Sequence, residues 1–144
     1  MNHWQSPVVL KLRQGVYQTN VSLRPDRQGT GESEASGTDG KDHQTEVSIF
    51  LLAAFDDNYF FVLQRGTRAW VVDPGDAEVV EKFLREENLA LEGILLTHHH
   101  ADHQGGVSSL VDKRENIVVC GPEDQRIPGV NRVLDDGSGV SVLG

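Results

Sequence analysis

Hydrophobic positions along the chain fall into short runs from residue 46 onward. Val47–Ala53 is a compact apolar run and predicts a strand, followed by a second at Tyr59–Gln64. Arg65-Gly66-Thr67-Arg68 reads as a turn and Ala69–Val72 as a third strand, giving a hairpin or meander. Pro74-Gly75 stops it. Asp76 is placed to cap a helix, with Glu78 and Glu81 in its first turns where negative charge is favoured. Ala77, Val80, Phe83 and Leu84 form one apolar stripe at helical spacing. Gly93 separates this helix from a short buried strand at Ile94–Leu96. A further helix is expected to start near Gly105, with Val107, Leu110 and Val111 on its inner face. Ile117–Cys120 predicts another strand, ended by Gly121-Pro122, and Val130–Leu134 and Val140–Leu143 two more short ones. The order β-β-β-α-β-α-β argues a layered α/β arrangement.

Residues 1–45 do not share this pattern. From Arg24 to Glu46 the chain holds no Leu, Ile, Val, Phe, Tyr or Trp. Such a stretch cannot bury enough surface to offset its ordering entropy, and it reads as a disordered linker. Pro7 to Leu23 has some strand-like character. Up to Arg24 there are three basic residues and no acidic one, faintly like an organelle presequence but without its Arg- and Ser-rich bias. The expected division is therefore a largely disordered extension over 1–45 and a folded region over 46–144. No internal repeat is visible.

Charge sharpens the division. The extension carries five basic and five acidic groups, so the net charge of -9 belongs to residues 46–144. An acidic domain is a poor partner for nucleic acid or an anionic membrane. No apolar run approaches the roughly 18 residues of a spanning helix. The single cysteine, Cys120, excludes an intramolecular disulfide and suits a reducing compartment, so a cytoplasmic location is expected, with organelle targeting by the extension left open. Cys120 itself reads as a small buried strand residue, not a nucleophile. Trp70 reads as core, and Asp135-Asp136 before Gly137 as a turn.

The chemistry concentrates in Thr97-His98-His99-His100-Ala101-Asp102-His103, which holds four of the six histidines. These residues follow directly on a predicted strand. In such a loop His98 and His100 can face one side with His99 pointing away, while Asp102 and His103 at the turn into the helix face the same cavity. Imidazole nitrogens and a carboxylate suit zinc, and also iron or manganese. The two pairs are placed for two neighbouring metals, an arrangement that activates water and polarises a carbonyl oxygen. A tag is an unsuitable explanation for a histidine run in mid-chain, and solvated loop histidines do not account for H-x-H-x-D-H spacing.

This segment resembles the signature of the metallo-β-lactamase superfamily and, more narrowly, of glyoxalase II, the hydroxyacylglutathione hydrolases. Phe55-Asp56-Asp57-Asn58-Tyr59 resembles that family's early D-N-Y segment, and Val72-Asp73-Pro74-Gly75-Asp76 its second motif. Leu96 to Val107 is similar to its metal loop, including Gly105-Gly106. The resemblance covers residues 47–144. It implies the first half of an αββα sandwich. It also implies His98 and His100 on a first zinc and Asp102 and His103 on a second, with Asp102 also counted as catalytic. Asp73 would stand behind the loop as an orienting acceptor, or be a plain turn aspartate. Asn58 and Tyr59 would shape the strand start, and Gly105 and Gly106 would admit a close helix approach. The implied reaction is hydrolysis of a glutathione thioester, S-lactoylglutathione to lactate and glutathione. The alternatives are a non-catalytic metal-binding half-domain, another hydrolase of this fold, or a persulfide dioxygenase.

After His103 the chain has 41 residues and no histidine. A catalytic zinc takes about three protein ligands, and this motif offers two per metal. The resemblance implies that the remaining ligands, the glutathione-binding residues and a helical region lie beyond this sequence. The expectation is a half-fold, inactive alone and prone to self-association through an exposed half-sheet.

Overall fold

A computed structural model describes residues 16–21, as backbone, and residues 47–144. The remaining residues of the expected extension lie outside the described residues. Among the described residues seven strands form one sheet in chain order: β1 (Val16–Val21), β2 (Val47–Ala54), β3 (Asn58–Arg65), β4 (Arg68–Val72), β5 (Ala90–Leu95), β6 (Val118–Gly121) and β7 (Arg132–Val133). The first four pair antiparallel, and β4 through β7 pair parallel. The change of direction follows from the connections. Tight turns join β2 to β3 and β3 to β4, the second through Gly66 at φ 60°. Parallel neighbours need a crossover, which α1 (Ala77–Glu86) supplies between β4 and β5. The short helices α2 (Ala101–Gln104) and α3 (Val107–Asp112) supply the next.

Strand alternation sends Phe50, Leu52 and Ala54 of β2, Phe60 and Val62 of β3, and Ala69 and Val71 of β4 to one face. There they meet Val80, Phe83 and Leu84 of α1 and Val107 and Leu110 of α3 in the main core. The stripe expected for α1 is the one buried. Its cap is the expected residue, since the Asp76 side chain accepts from the Glu78 amide at 2.8 Å. Arg114, just after α3, ties that helix to α1 with a two-point contact to Glu81 at 2.7 and 3.0 Å. That bond holds the Glu81 carboxyl below its usual value. The opposite face carries a smaller cluster of Trp70, Cys120 and Leu143. Cys120 is fully buried, and burial pushes its thiol upward, which suits an inert core residue. Elsewhere on that face Tyr59 and Phe61 stay exposed, at 44% and 43%.

Several expectations need correction. Gly93 is not a break but part of β5, which begins at Ala90. A Cβ there would stand 2.4 Å from the Trp70 indole, so the glycine makes room for a cross-strand ring. The helix expected near Gly105 is α3, with Val107 and Leu110 buried, but a short helix not expected, α2, precedes it and puts Asp102 and His103 inside a helical turn. Val140–Leu143 forms no strand, although Leu143 is buried against Trp70 and Cys120. Within the stretch Pro7 to Leu23, read as strand-like, six residues do form a strand, β1, in register with β2 from Val16 opposite Leu52 to Val21 opposite Val47. Asp135-Asp136 is the expected turn, with Ser138 N donating to Asp135 O at 2.9 Å. Among the described residues no helix is long and apolar enough to cross a membrane.

Candidate metal centre

Three loops at the C-terminal ends of the strands, or beside them, converge. The loop after β5 presents the histidines. The loop after β4 presents Asp73, and the β2–β3 turn ends at Asn58. Asp73 is buried and takes φ 49°, a left-handed conformation that aspartate tolerates better than most residues. Its amide donates to Leu95 O at 2.9 Å, which continues the β4–β5 pairing one residue past the strand. The turn thus aims its carboxylate at the start of the histidine loop.

That carboxylate accepts from Thr97 N at 2.8 Å and from Thr97 Oγ1 at 2.6 Å. Thr97 Oγ1 also lies 2.8 Å from His98 Nδ1. The hydroxyl has one proton, and the carboxylate can only accept it. With that carboxylate ionised, His98 donates from Nδ1, which in the neutral ring leaves the lone pair on Nε2. A relay from Asp73 through Thr97 thus selects the nitrogen of His98 that is able to bind a metal. Asp73 thus lies in the turn after β4, with its carboxylate accepting from the backbone and hydroxyl of Thr97.

Donor atoms of Asp73, His98 and His103 all lie within 4.8 Å of one another. His103 sits between two carboxylates, with Nδ1 3.4 Å from Asp73 Oδ2 and Nε2 3.3 Å from Asp102 Oδ2. The rings of His98 and His103 are 4.1 Å apart, and those of His98 and His100 4.6 Å. His100 thus lies beside the His98 ring and Asp102 beside the His103 ring. Among the described residues the one group of three donors is Asp73, His98 and His103, without His100 or Asp102. Two imidazoles and a carboxylate suit a zinc-like divalent ion. Donors around one tetrahedral ion at ~2.0–2.2 Å stand ~3.4 Å apart, so small side-chain rotations bring this set onto a single ion, and the residues fit the group.

Asn58 does more than shape a strand start. Its side-chain amide donates to Asp102 O at 3.2 Å and lies 3.5 Å from Asp102 Oδ2, while its own oxygen accepts from Tyr59 N at 2.8 Å. Neither this contact nor the role of Thr97 was read from the chain. The Asn58–Asp102 separation of 44 residues leaves no local signal.

The glycines explain how closely the loops pack. A Cβ on Gly75 would stand 2.0 Å from Asp102 O, and one on Gly106 2.6 Å from Pro74 O. Gly106 N donates to that same Pro74 carbonyl at 2.9 Å. The Pro74-Gly75 turn is therefore clamped against α2 and the α2–α3 junction. The expected close approach at Gly105-Gly106 is present, and its tightest point is Gly75.

Comparison with known proteins follows the same lines. A family model described as the metallo-beta-lactamase superfamily matches residues 54–140. The hydroxyacylglutathione hydrolase of Pseudoalteromonas translucida (strain TAC 125) is 46% identical over 99 residues, covering 67% of this chain and 38% of that protein. The protein of the same name from Dechloromonas aromatica (strain RCB) is 49% identical over 98 residues, covering 68% of this chain and 37% of that one. The chain thus spans well under half the length of the curated relatives it matches. A crystal structure of the DIM-1 metallo-β-lactamase exposed to ceftazidime superposes with a TM-score of 0.50 at 17% identity, over 92% of this chain and 53% of that one. That likeness bears on the fold alone.

Proposed function

The chain belongs to the metallo-β-lactamase superfamily, and from that premise we propose that it carries the front part of a metal-dependent thioester hydrolase site. The substrate class is a glutathione thioester, with S-lactoylglutathione and water giving lactate and glutathione. In this reading His98 and His100 hold a first divalent ion, and Asp102 and His103 a second. Zinc is the preferred occupant, and iron or manganese are alternatives. Asp102 is also the catalytic residue. A bound ion there supplies polarisation of the thioester carbonyl and activation of water. The chain's own residues prepare that chemistry. Asp73 accepts from Thr97, Thr97 fixes the tautomer of His98, and Asn58 holds the backbone of Asp102. The observation that carries the reading is the cluster after β5, where His98 and His100 have ring centroids 4.6 Å apart, Asp102 Oδ2 lies 3.3 Å from His103 Nε2, and donor atoms of Asp73, His98 and His103 lie within 4.8 Å of one another. The substrate class draws on relatives named hydroxyacylglutathione hydrolase.

Thioesterase assays separate this from a second reading, a non-catalytic metal-binding unit. That second reading draws on the donor count. Among the described residues one group of three donors is found, where two separate metals ask for two groups. The 144-residue chain with added zinc is expected to turn over S-lactoylglutathione negligibly. Residues 47–144 joined to the remaining part of the Pseudoalteromonas translucida relative are expected to hydrolyse it. A chimera that binds zinc and hydrolyses nothing would favour the non-catalytic reading. Turnover by the chain alone near that of a full-length relative would overturn the idea that it needs the remaining part.

The exposed face bearing Tyr59 and Phe61 also supports self-association of the chain. Size-exclusion chromatography over a concentration series is expected to show a concentration-dependent shift to larger species. A single monomer peak at every concentration would contradict this.

A further inference from the structure

His99 takes no part in the donor group, yet it is not idle. The loop between β6 and β7 reaches back to it. Nε and Nη2 of Arg126 donate to the two oxygens of Asp124 at 2.8 and 2.6 Å, and the Arg126 amide donates to Asp124 Oδ1 at 2.9 Å. The remaining guanidinium nitrogen, Nη1, lies 3.2 Å from His99 Nε2. A guanidinium can only donate, so His99 Nε2 accepts and the ring proton sits on Nδ1. His99 Nδ1 lies 3.8 Å from Oδ2 of the same carboxylate.

This loop is a firm support. Ile127 is buried in the main core, and its amide donates to Asp124 O at 2.9 Å. The Asp124 side chain is only 19% exposed, while Arg126 at 65% would be free to move without its fork. The Arg126 hydrogen bonds hold the Asp124 carboxyl at about 2, so the pair stays ionised over the working range of pH. From His99 the contact passes along a row of rings. His99 and His100 have centroids 4.9 Å apart, and His100 and His98 4.6 Å. Three consecutive histidines at a strand end, with His100 exposed, have little packing of their own to fix their rotamers.

We infer that Arg126, anchored by Asp124, is a positioning residue for the metal loop: it locks His99 in one tautomer and orientation, and through the ring contacts keeps His100 and His98 turned to the donor group. The inference deepens the metal-site reading and rests on it. It identifies a support for the ligands that comes from a loop outside the histidine motif.

The test begins with the metal-free chain carrying nitrogen-15 histidine. In the unaltered protein the His99 ring is expected as the Nδ1–H tautomer. Arg126→Ala is expected to release it to the Nε2–H form that predominates in free imidazole, and to speed amide exchange at His99 and His100 about 10-fold. Asp124→Asn, which keeps the guanidinium but removes its anchor, is expected to do the same more weakly, and it decides the matter if Arg126→Ala fails to fold. A lowered melting temperature with the His99 ring unchanged would mark an ordinary surface ion pair and overturn the inference. Cobalt(II) titration then tests the link to the ligands. Removing a partner that orients a ligand typically costs about 10-fold or more in affinity, and that loss is expected for Arg126→Ala. Unchanged cobalt affinity in a variant whose His99 has switched tautomer would break the link. Failure of the unaltered chain to bind cobalt would instead remove the metal-site reading, while the His99 result would stand.

Discussion

Gly75→Ala is expected to dislodge α2 and weaken metal binding by at least about 10-fold. The reason is that the methyl group would meet backbone. Its Cβ position lies 2.0 Å from Asp102 O and 2.4 Å from Asp102 C. A crowded side chain can change rotamer, but a carbonyl in a helical turn moves only with the turn. The turn in question carries both Asp102 and His103. Overpacking commonly costs ~1–3 kcal/mol, and here the strain falls on the ligand-bearing segment. Two measurements check it, the midpoint of urea unfolding and the affinity for cobalt(II). A variant as stable as the parent with unchanged affinity would show that α2 is not held by this contact. Gly66→Ala is a useful control, because Gly66 has open space around the position of its Cβ and lies in the β3–β4 turn. Its positive φ still strains any side chain, so it is expected to lose stability modestly while keeping its affinity for cobalt.

The second large effect is expected at Asp73→Asn. An asparagine keeps the size and tolerates the left-handed conformation at φ 49°, so the turn itself should persist. What changes is the acceptor count. Thr97 donates to both carboxylate oxygens, from its amide and its hydroxyl, and an amide group offers only one oxygen. If Thr97 N keeps that oxygen, the amide NH2 faces the Thr97 hydroxyl and the relay to His98 reverses. His98 would then lose its Nδ1–H preference, and the nitrogen available for metal would no longer be selected. Metal affinity is expected to fall by about 10- to 100-fold. The loss of one charge-assisted bond at a buried site adds about 1–3 kcal/mol of destabilisation. Ring nitrogen-15 shifts of His98 check the tautomer directly. An Asp73→Asn protein with the parent's His98 tautomer and cobalt affinity would dismiss the relay.

How much of this could be read from the chain depends on how local the cause is. The strands β2 to β4 and the Asp76 cap of α1 are set by residues next to one another, and they appear where alternation and helical spacing put them. Gly93 was misread because its reason lies on another strand, in the Trp70 ring that occupies its missing side chain. The helix α3 appears where Val107 and Leu110 put it, but α2 has no signal of its own, because a run of histidines resembles a loop and nothing in Ala101-Asp102 announces a helix whose N-cap, His100, makes no side-chain capping bond. Val140–Leu143 has the composition of a strand, yet its Leu143 is consumed in packing against the far face of the sheet. At the metal centre the histidine motif was legible as chemistry. Its supports were not, because Asp73, Asn58 and Arg126 reach it from three separate loops.

The central claim is that His98, His100, Asp102 and His103, with Asp73, form a metal-binding group in this chain. Cobalt(II) or zinc titration of the purified protein, followed by absorption and by competition with a chelator, tests it most directly when repeated on His98→Ala and His103→Ala. The account predicts saturable binding by the parent chain and loss of about 100-fold or more in affinity in either variant, with folding retained by circular dichroism; a catalytic ion takes only about three protein ligands, so either change removes a large part of the donor set. A parent chain that does not bind, or binding that survives both substitutions unchanged, would contradict it.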